Sequence, residues 1–222
     1  INSSENQFTK TVVKNVGVVG SFFRAGYSVG GITGDAYARQ GTVRIENCYN
    51  ASRVEVANNN AGGIVGTITN YSTVRIELYN VYNTGTISGP NRIGGLVGYE
   101  AANGIFVVNA YNAGEIVGTG NSNYVKSVFG NYTKDNKNVI ENVFYLEPGR
   151  NEHVGKSVTA DELKSGIITQ VMRHYDQDGV DGSKWGQKVG TDSLPNFSGS
   201  LTGASFQTVK MNVYHGSTKL KT

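Results

Sequence analysis

The strongest constraint on the fold is a glycine-rich segment that returns at a fixed interval. It reads Gly30-Gly31-Ile32-Thr33-Gly34, Gly62-Gly63-Ile64-Val65-Gly66 and Gly94-Gly95-Leu96-Val97-Gly98, with a degenerate copy at Ser127-Val128-Phe129-Gly130. The closing glycines stand at 34, 66, 98 and 130, each 32 residues after the last. Self-similarity at such an interval marks an array of stacked units, each unable to bury its apolar face alone. A strand with so few side chains between glycines cannot satisfy its backbone by itself. It needs the equivalent strand above and below at about 4.8 Å.

A second element alternates with the first: Asn47-Cys48-Tyr49-Asn50, Asn80-Val81-Tyr82-Asn83, Asn109-Ala110-Tyr111-Asn112 and Asn142-Val143-Phe144-Tyr145, with an eroded copy at Asn15-Val16-Gly17. Seven residues beyond the leading Asn come Val54, Ile87 and Ile116, the centre of a third short strand. Val43-Arg44-Ile45-Glu46 recurs as Val74-Arg75-Ile76-Glu77, which places Leu78-Tyr79 as an insertion before Asn80. Three short strands per unit are too few for a four-stranded propeller blade. The expected fold is all-β, a right-handed parallel β-solenoid of about four to five rungs over residues 1–149, with a small C-terminal cap containing one helix.

Composition agrees. Glycine stands at 30 residues and proline at 3, and the 13 tyrosines are spread along the chain, which argues against disorder and against collagen. The net charge of +3 is scattered, with Arg24, Arg39, Arg44, Arg53, Arg75 and Arg92 dispersed and Glu46 and Glu77 two residues from arginines. Nucleic-acid binding asks for a clustered basic stripe, so no nucleic-acid partner is expected. No apolar run approaches a membrane span, and no membrane insertion is expected. No signal peptide is present and the chain begins at Ile1, which reads as a processed or excised, monomeric piece of a larger protein.

The alternation of these glycine segments with Asn-[Cys/Val/Ala]-Tyr-Asn, followed by Thr84-Gly85-Thr86-Ile87-Ser88-Gly89 or Ala113-Gly114-Glu115-Ile116-Val117-Gly118, resembles the GLUG-motif repeat family over about residues 10–148. That resemblance implies a bacterial surface or secreted protein, of the kind found among adhesins and in non-catalytic regions of immunoglobulin-A-specific metallopeptidases.

After Pro148-Gly149 the texture changes, and residues 150–222 read as a cap and terminal strand. Thr159-Ala160-Asp161-Glu162 is a capping-box pattern. Leu163, Ile167, Ile168, Val171 and Met172 follow at helical spacing, predicting one helix of about three turns from Ala160. With Trp185, Leu194 and Phe197 it forms a lid for the open end of the solenoid, where core and strand edge would otherwise be bare. Val209 to Leu220 reads as one more strand or the start of a neighbouring module.

The chemistry-bearing residues favour packing over catalysis. Cys48 is the sole cysteine, and its equivalents Val16, Val81, Ala110 and Val143 are apolar, so a buried inert thiol is expected. The row Asn15, Asn47, Asn80, Asn109, Asn142 is expected to satisfy turn backbone and its own neighbours rather than form a ligand-binding row, and Tyr49, Tyr82, Tyr111 and Phe144 to form an aromatic stack in the core rather than a solvent-facing row for sugar or protein binding. Gly155-Lys156-Ser157 fails the phosphate-loop spacing to Gly149. Asp176, Asp178 and Asp181 lack the alternation and closing Glu of a calcium loop, leaving a solvated turn. His153, His174 and His215 are isolated, no His-Glu-x-x-His exists, and Asp35, Glu46, Glu55 and Glu77 are scattered.

The sequence therefore predicts no catalytic residues, no cofactor and no metal site. It predicts an extracellular adhesion or interaction module, with a host glycan or matrix protein as partner. A passive spacer or accessory region of a larger surface protein, such as a peptidase, is the alternative, and a polysaccharide-acting enzyme is a remote one. Outward tyrosines and phenylalanines, drawn from Phe22, Phe23, Tyr27, Tyr71, Tyr99, Tyr124 and Tyr132, separate a binding face from a spacer.

Overall fold

A computed structural model describes residues 2–3, 10–38, 41–70, 75–102, 104–120, 122–134, 137–150, 154–205, 213–215 and 218–221. The glycine segments open one parallel sheet, in which Thr33–Ala38, Val65–Asn70, Val97–Ala101 and Phe129–Asn131 stack in chain order. The register is uniform: Thr33 faces Val65, Val65 faces Val97 and Val97 faces Phe129. Asn2–Ser3 pairs on the outer edge of Thr33–Ala38.

The second sheet carries the Asn–Tyr segments. Lys10–Lys14 and Gly17–Gly30 pair with Thr42–Gly62, which pairs with Arg75–Asn83, then Ile105–Asn112, then Val139–Leu146. The third short strands Ile87–Gly89 and Ile116–Gly118 continue the later half of Thr42–Gly62. All these pairings are parallel, and the result is a β-solenoid of about four turns.

Corners fall where the backbone turns left-handed at residues that tolerate it. Asn15, Asn47, Asn80, Asn109 and Asn142 have φ of 60°, 53°, 51°, 55° and 51°, a region Asn enters more readily than most side chains. A second corner stacks Ser28, Asn60 and Arg92 at φ 44°, 71° and 56°.

The coil is pinched into two lobes. One core holds Val43, Ile45, Cys48, Ile64, Val65 and their equivalents in other turns. The other holds Val54, Val56, Ile87, Ile93, Ile116 and Val125. Between them Asn50, Asn83 and Asn112 lie directly against Gly31, Gly63 and Gly95, where a Cβ would overlap the amide side chain and the carbonyl of the next turn. The second glycine of the repeated pair is thus the partner of the closing Asn of the other motif.

Two sequence expectations change. Val43-Arg44-Ile45-Glu46 and Val74-Arg75-Ile76-Glu77 are not equivalent: Val43 faces Ile76, Ile45 faces Leu78 and Cys48 faces Val81 without a break. No residues are inserted before Asn80. A slip of two residues keeps every side chain on its own face, so alternation alone does not choose between the registers; the left-handed Asn corner does. The expected single helix is two, Ala160–Lys164 (α1) and Ile167–Arg173 (α2), broken at Gly166 with φ 84°. The capping box is present, with Thr159 Oγ1 accepting from the Glu162 amide at 3.1 Å and Glu162 Oε2 accepting from the Thr159 amide at 2.8 Å. Leu163, Ile168 and Met172 are buried, but the break turns Ile167 and Val171 outward.

The C-terminal segment covers the open end only with its first residues, while the expected helix and Trp–Phe lid lies elsewhere. Lys156–Val158 pairs in parallel with the last Asn–Tyr strand, and Val154 enters the first core. The helices, Trp185 and Phe197 run along the flank of the coil instead. The physical reason is that Tyr82, Tyr111 and Phe144 point out of the coil, and Val158, Leu163, Ile168, Met172 and Trp185 bury them. In the terminal stretch, Val213–His215 and Thr218–Lys221 pair antiparallel with each other; residues 209–212, 216 and 217 lie outside the described residues.

Candidate functional site

The flank is built from two ladders. In the corner ladder each Asn donates to the preceding turn: Asn47 to Asn15 at 3.1 Å, Asn80 to Asn47 at 3.0 Å, Asn109 to Asn80 at 3.2 Å and Asn142 to Asn109 at 3.0 Å. Beside it, Tyr49 stacks on Tyr82 at 4.8 Å and 4°, and Tyr82 on Tyr111 at 5.0 Å and 2°. Identical residues at the spacing of parallel strands give this arrangement without further instruction.

The C-terminal segment reads both ladders. Asn80 Nδ2 also donates to the Asp181 carbonyl at 3.0 Å, Asn109 Nδ2 to the Met172 carbonyl at 2.9 Å, and Trp185 Nε1 donates to Asn80 Oδ1 at 2.9 Å. Trp185 packs 5.8 Å from both Tyr82 and Tyr111, and Phe197 packs 5.0 Å from Tyr82 and 4.6 Å from Trp185. Arg173 ties the segment together through the carbonyls of Ser183, Trp185 and Gly199. The sequence showed the ladders as stacks of self-satisfying side chains; their second use as a docking rail has no local signature, because it depends on which amide protons the corner leaves over.

Ionisation ties the docking to pH. Burial holds the Tyr111 phenol well above its ordinary value, and its hydroxyl donates to the Pro195 carbonyl at 2.6 Å. Burial raises Tyr82 in the same direction, with Tyr49 adding to it. Folded phenols that keep their protons longer than unfolded ones stabilise the fold fully below about pH 10, and that contribution is lost as pH climbs past it. Tyrosinate absorbance should rise late for these two groups, together with loss of the buried Trp185 emission. In Tyr111→Phe the alkaline transition should become shallower.

Cys48 is fully buried in the first core and burial raises its thiol, so it is no poised nucleophile. Glu77 is buried and paired with Arg44 and Arg75, and Arg44 also reaches Glu46 at 3.6 Å. Asp181 caps the short helical turn after it, accepting from the Ser183 amide at 3.1 Å, and lies 3.4 Å from Lys184. Asp176 and Asp178 are exposed, while Val180 between them and Trp185 is buried against Tyr79 and Val108. Among the described residues no three His, Cys, Asp or Glu come together as a metal set.

Of the candidate outward aromatics, Phe22 is 57% and Tyr27 64% exposed, both on strand Gly17–Gly30 of the first turn. Tyr124 is exposed at 39% on the fourth turn. Phe23 packs on the second core and Tyr132 on the first, and Tyr99 lies under the Arg92 guanidinium at 4.3 Å. Tyr71 lies outside the described residues. Val12, Val16 and Val19 of the first turn are exposed as well.

Where the flank meets this first turn there is a cleft of about 470 Å³, with Tyr49, Phe197 and Gly17 among its walls and Lys14, Asn15 and Lys184 about its rim. A second, of about 480 Å³, lies at the other end of the waist, beside Asn112, Glu115 and Arg150. Among the described residues no helix is long and apolar enough to cross a membrane. No family model, no curated protein and no solved structure matches the chain.

Proposed function

We propose that the chain is a non-catalytic interaction module of a bacterial surface or secreted protein, working outside the cell on a host glycan or matrix protein. The carrying observation is the first turn. Val12, Val16, Val19, Phe22 and Tyr27 are all exposed there, whereas the following turns, Tyr124 apart, bury most of their large apolar side chains in the two cores and under the C-terminal segment. Large apolar side chains gathered at one end of a rigid stack suit contact with a partner. A non-catalytic role is supported by the burial of Cys48 and the arginine pairing of Glu77 and Glu46. The glycine–asparagine repeat itself, with its resemblance to GLUG-motif proteins, supports the location.

A second reading, a passive spacer or accessory region of a larger protein, draws support from the ladders. Their repeated amides and rings are spent on the chain's own C-terminal segment, which leaves less of the repetition for a partner. Binding of the chain to an array of glycans and matrix proteins, beside a Phe22→Ser, Tyr27→Ser variant, separates the two. A hit that is lost in the variant supports the interaction module and places its face. Silence across the array supports the spacer.

A further inference from the structure

We propose that the cleft at the first-turn end of the tyrosine ladder binds a pyranose ring bearing a carboxylate, as found in uronic and sialic acid residues. The proposal rests on the interaction-module reading and names a ligand class and a site for it.

The ladder stops one ring short. Each aromatic of the row faces the next turn's aromatic, but the residue facing Tyr49 from the first turn is Gly17. Tyr49 lies so close over Gly17 that any Cβ there would enter its ring. With one face on Tyr82, the other partly over the Gly17 backbone and an edge toward Phe197 at 6.2 Å, Tyr49 presents the part of its ring that Gly17 leaves bare to the cleft. Aromatic walls meeting at an angle offer apolar surface to the C–H face of a sugar ring, and the volume is within the range of small-molecule sites.

The corner ladder stops at the same place. Asn15 uses its oxygen to accept from Asn47, so its amide N–H groups point onward with no acceptor among the described residues. They supply donors for a ring hydroxyl or a carboxylate. Charge selects between neutral and acidic sugars. Lys14 has no acidic partner among the described residues, and Lys184 stands on the opposite rim, shared with Asp181 at 3.4 Å. Glu46, the acid of the cleft, is drawn to Arg44 at 3.6 Å. The rim therefore favours an anion, and charge-assisted hydrogen bonds from Lys14 and the Asn15 amide give it direction.

The test is calorimetric titration of the whole chain with a glucuronate-terminated and a sialate-terminated trisaccharide, each beside its neutral counterpart. At least one acidic ligand should bind, about tenfold more tightly than its neutral partner, and Lys14→Glu should weaken it about tenfold. The two acidic arms tell which source of the carboxylate fits. Lys14 and Lys184 are exposed, so Lys184→Glu should leave the circular dichroism and melting temperature unchanged; because Lys14 faces Glu46 across the strands, Lys14→Gln is measured beside Lys14→Glu and should keep the fold while still weakening the acidic ligand. Equal binding of neutral and acidic sugars, or binding indifferent to both lysine variants, overturns the proposal. A matrix or glycan hit lost in the Phe22→Ser, Tyr27→Ser variant but kept in Lys14→Glu overturns the cleft and leaves the interaction module standing. No binding of any kind removes both.

Discussion

Trp185→Ala should cost about 3–5 kcal/mol and undock the C-terminal segment from the flank of the solenoid. The side chain is fully buried. Its ring touches Tyr82, Tyr111 and Phe197, and its indole N–H donates to Asn80. Removing it leaves a cavity at the centre of the interface. Neighbours cannot collapse into that cavity, because the tyrosines are held at ladder spacing by their strands. Trp185→Phe keeps most of the packing and loses the hydrogen bond, so it should cost about 1 kcal/mol. Urea unfolding followed by circular dichroism gives the magnitudes, and limited proteolysis gives the location. In Trp185→Ala, cleavage should move into residues 154–205 while the repeat region stays resistant. If Trp185→Ala unfolds at the wild-type urea concentration, docking on the ladders contributes little and the flank does not hold the C-terminal segment.

Asn83→Ala should be about as damaging, at roughly 3–5 kcal/mol, although it removes only a small polar side chain. Asn83 is fully buried at the waist. It donates to the Gly85 carbonyl at 2.9 Å and to Asn112 at 2.8 Å, and it accepts from the Gly85 amide at 3.2 Å and from Asn50 at 2.8 Å. Truncation removes four buried hydrogen bonds at once: the Gly85 amide and carbonyl lose their partner, and Asn50 Nδ2 and Asn112 Oδ1 keep only their bonds to the Ser52 carbonyl and the Gly114 amide, in a place where Gly63 backbone already abuts the side chain. Asn142, the last of the corner ladder and only half-buried, makes one such bond, to Asn109 at 3.0 Å. Asn142→Ala should cost about 1–2 kcal/mol, the lost bond together with the strain of alanine at φ 51°. The comparison of the two in the same denaturation assay is decisive: equal effects would mean that the waist ladder is no more than a stack of turn caps.

Both predictions express one economy of construction. The same short motif supplies a corner Asn whose second amide proton faces the flank, a Tyr that stacks outward, and a waist Asn that bonds its own turn and the next. The glycine motif supplies a backbone flat enough for the waist Asn to lie against. Substitution at the waist acts within the coil, and substitution at Trp185 acts between the coil and its flanking segment, so the two should combine additively unless the Asn80 corner transmits one to the other.

The repeat made the solenoid readable, because identical residues at a fixed interval can satisfy their backbones only by stacking. The corner asparagines and the inward place of Cys48 followed from that periodicity. So did the capping box before α1, since it is local chemistry within four residues. What the sequence left open were choices between placements of equal local merit. A two-residue slip of Val74–Glu77 keeps inward residues inward, and only the left-handed corner at Asn80 excludes it. Helical spacing from Leu163 to Met172 hid the break at Gly166, where φ of 84° reorients α2 so that Met172 and Ile168 face the tyrosines. An open end and an aromatic flank both call for cover, and periodicity does not say which the Trp185 segment takes. The flank wins because it offers stacked rings and spare amide protons together, a combination that exists only once separate turns of the chain have been brought into register.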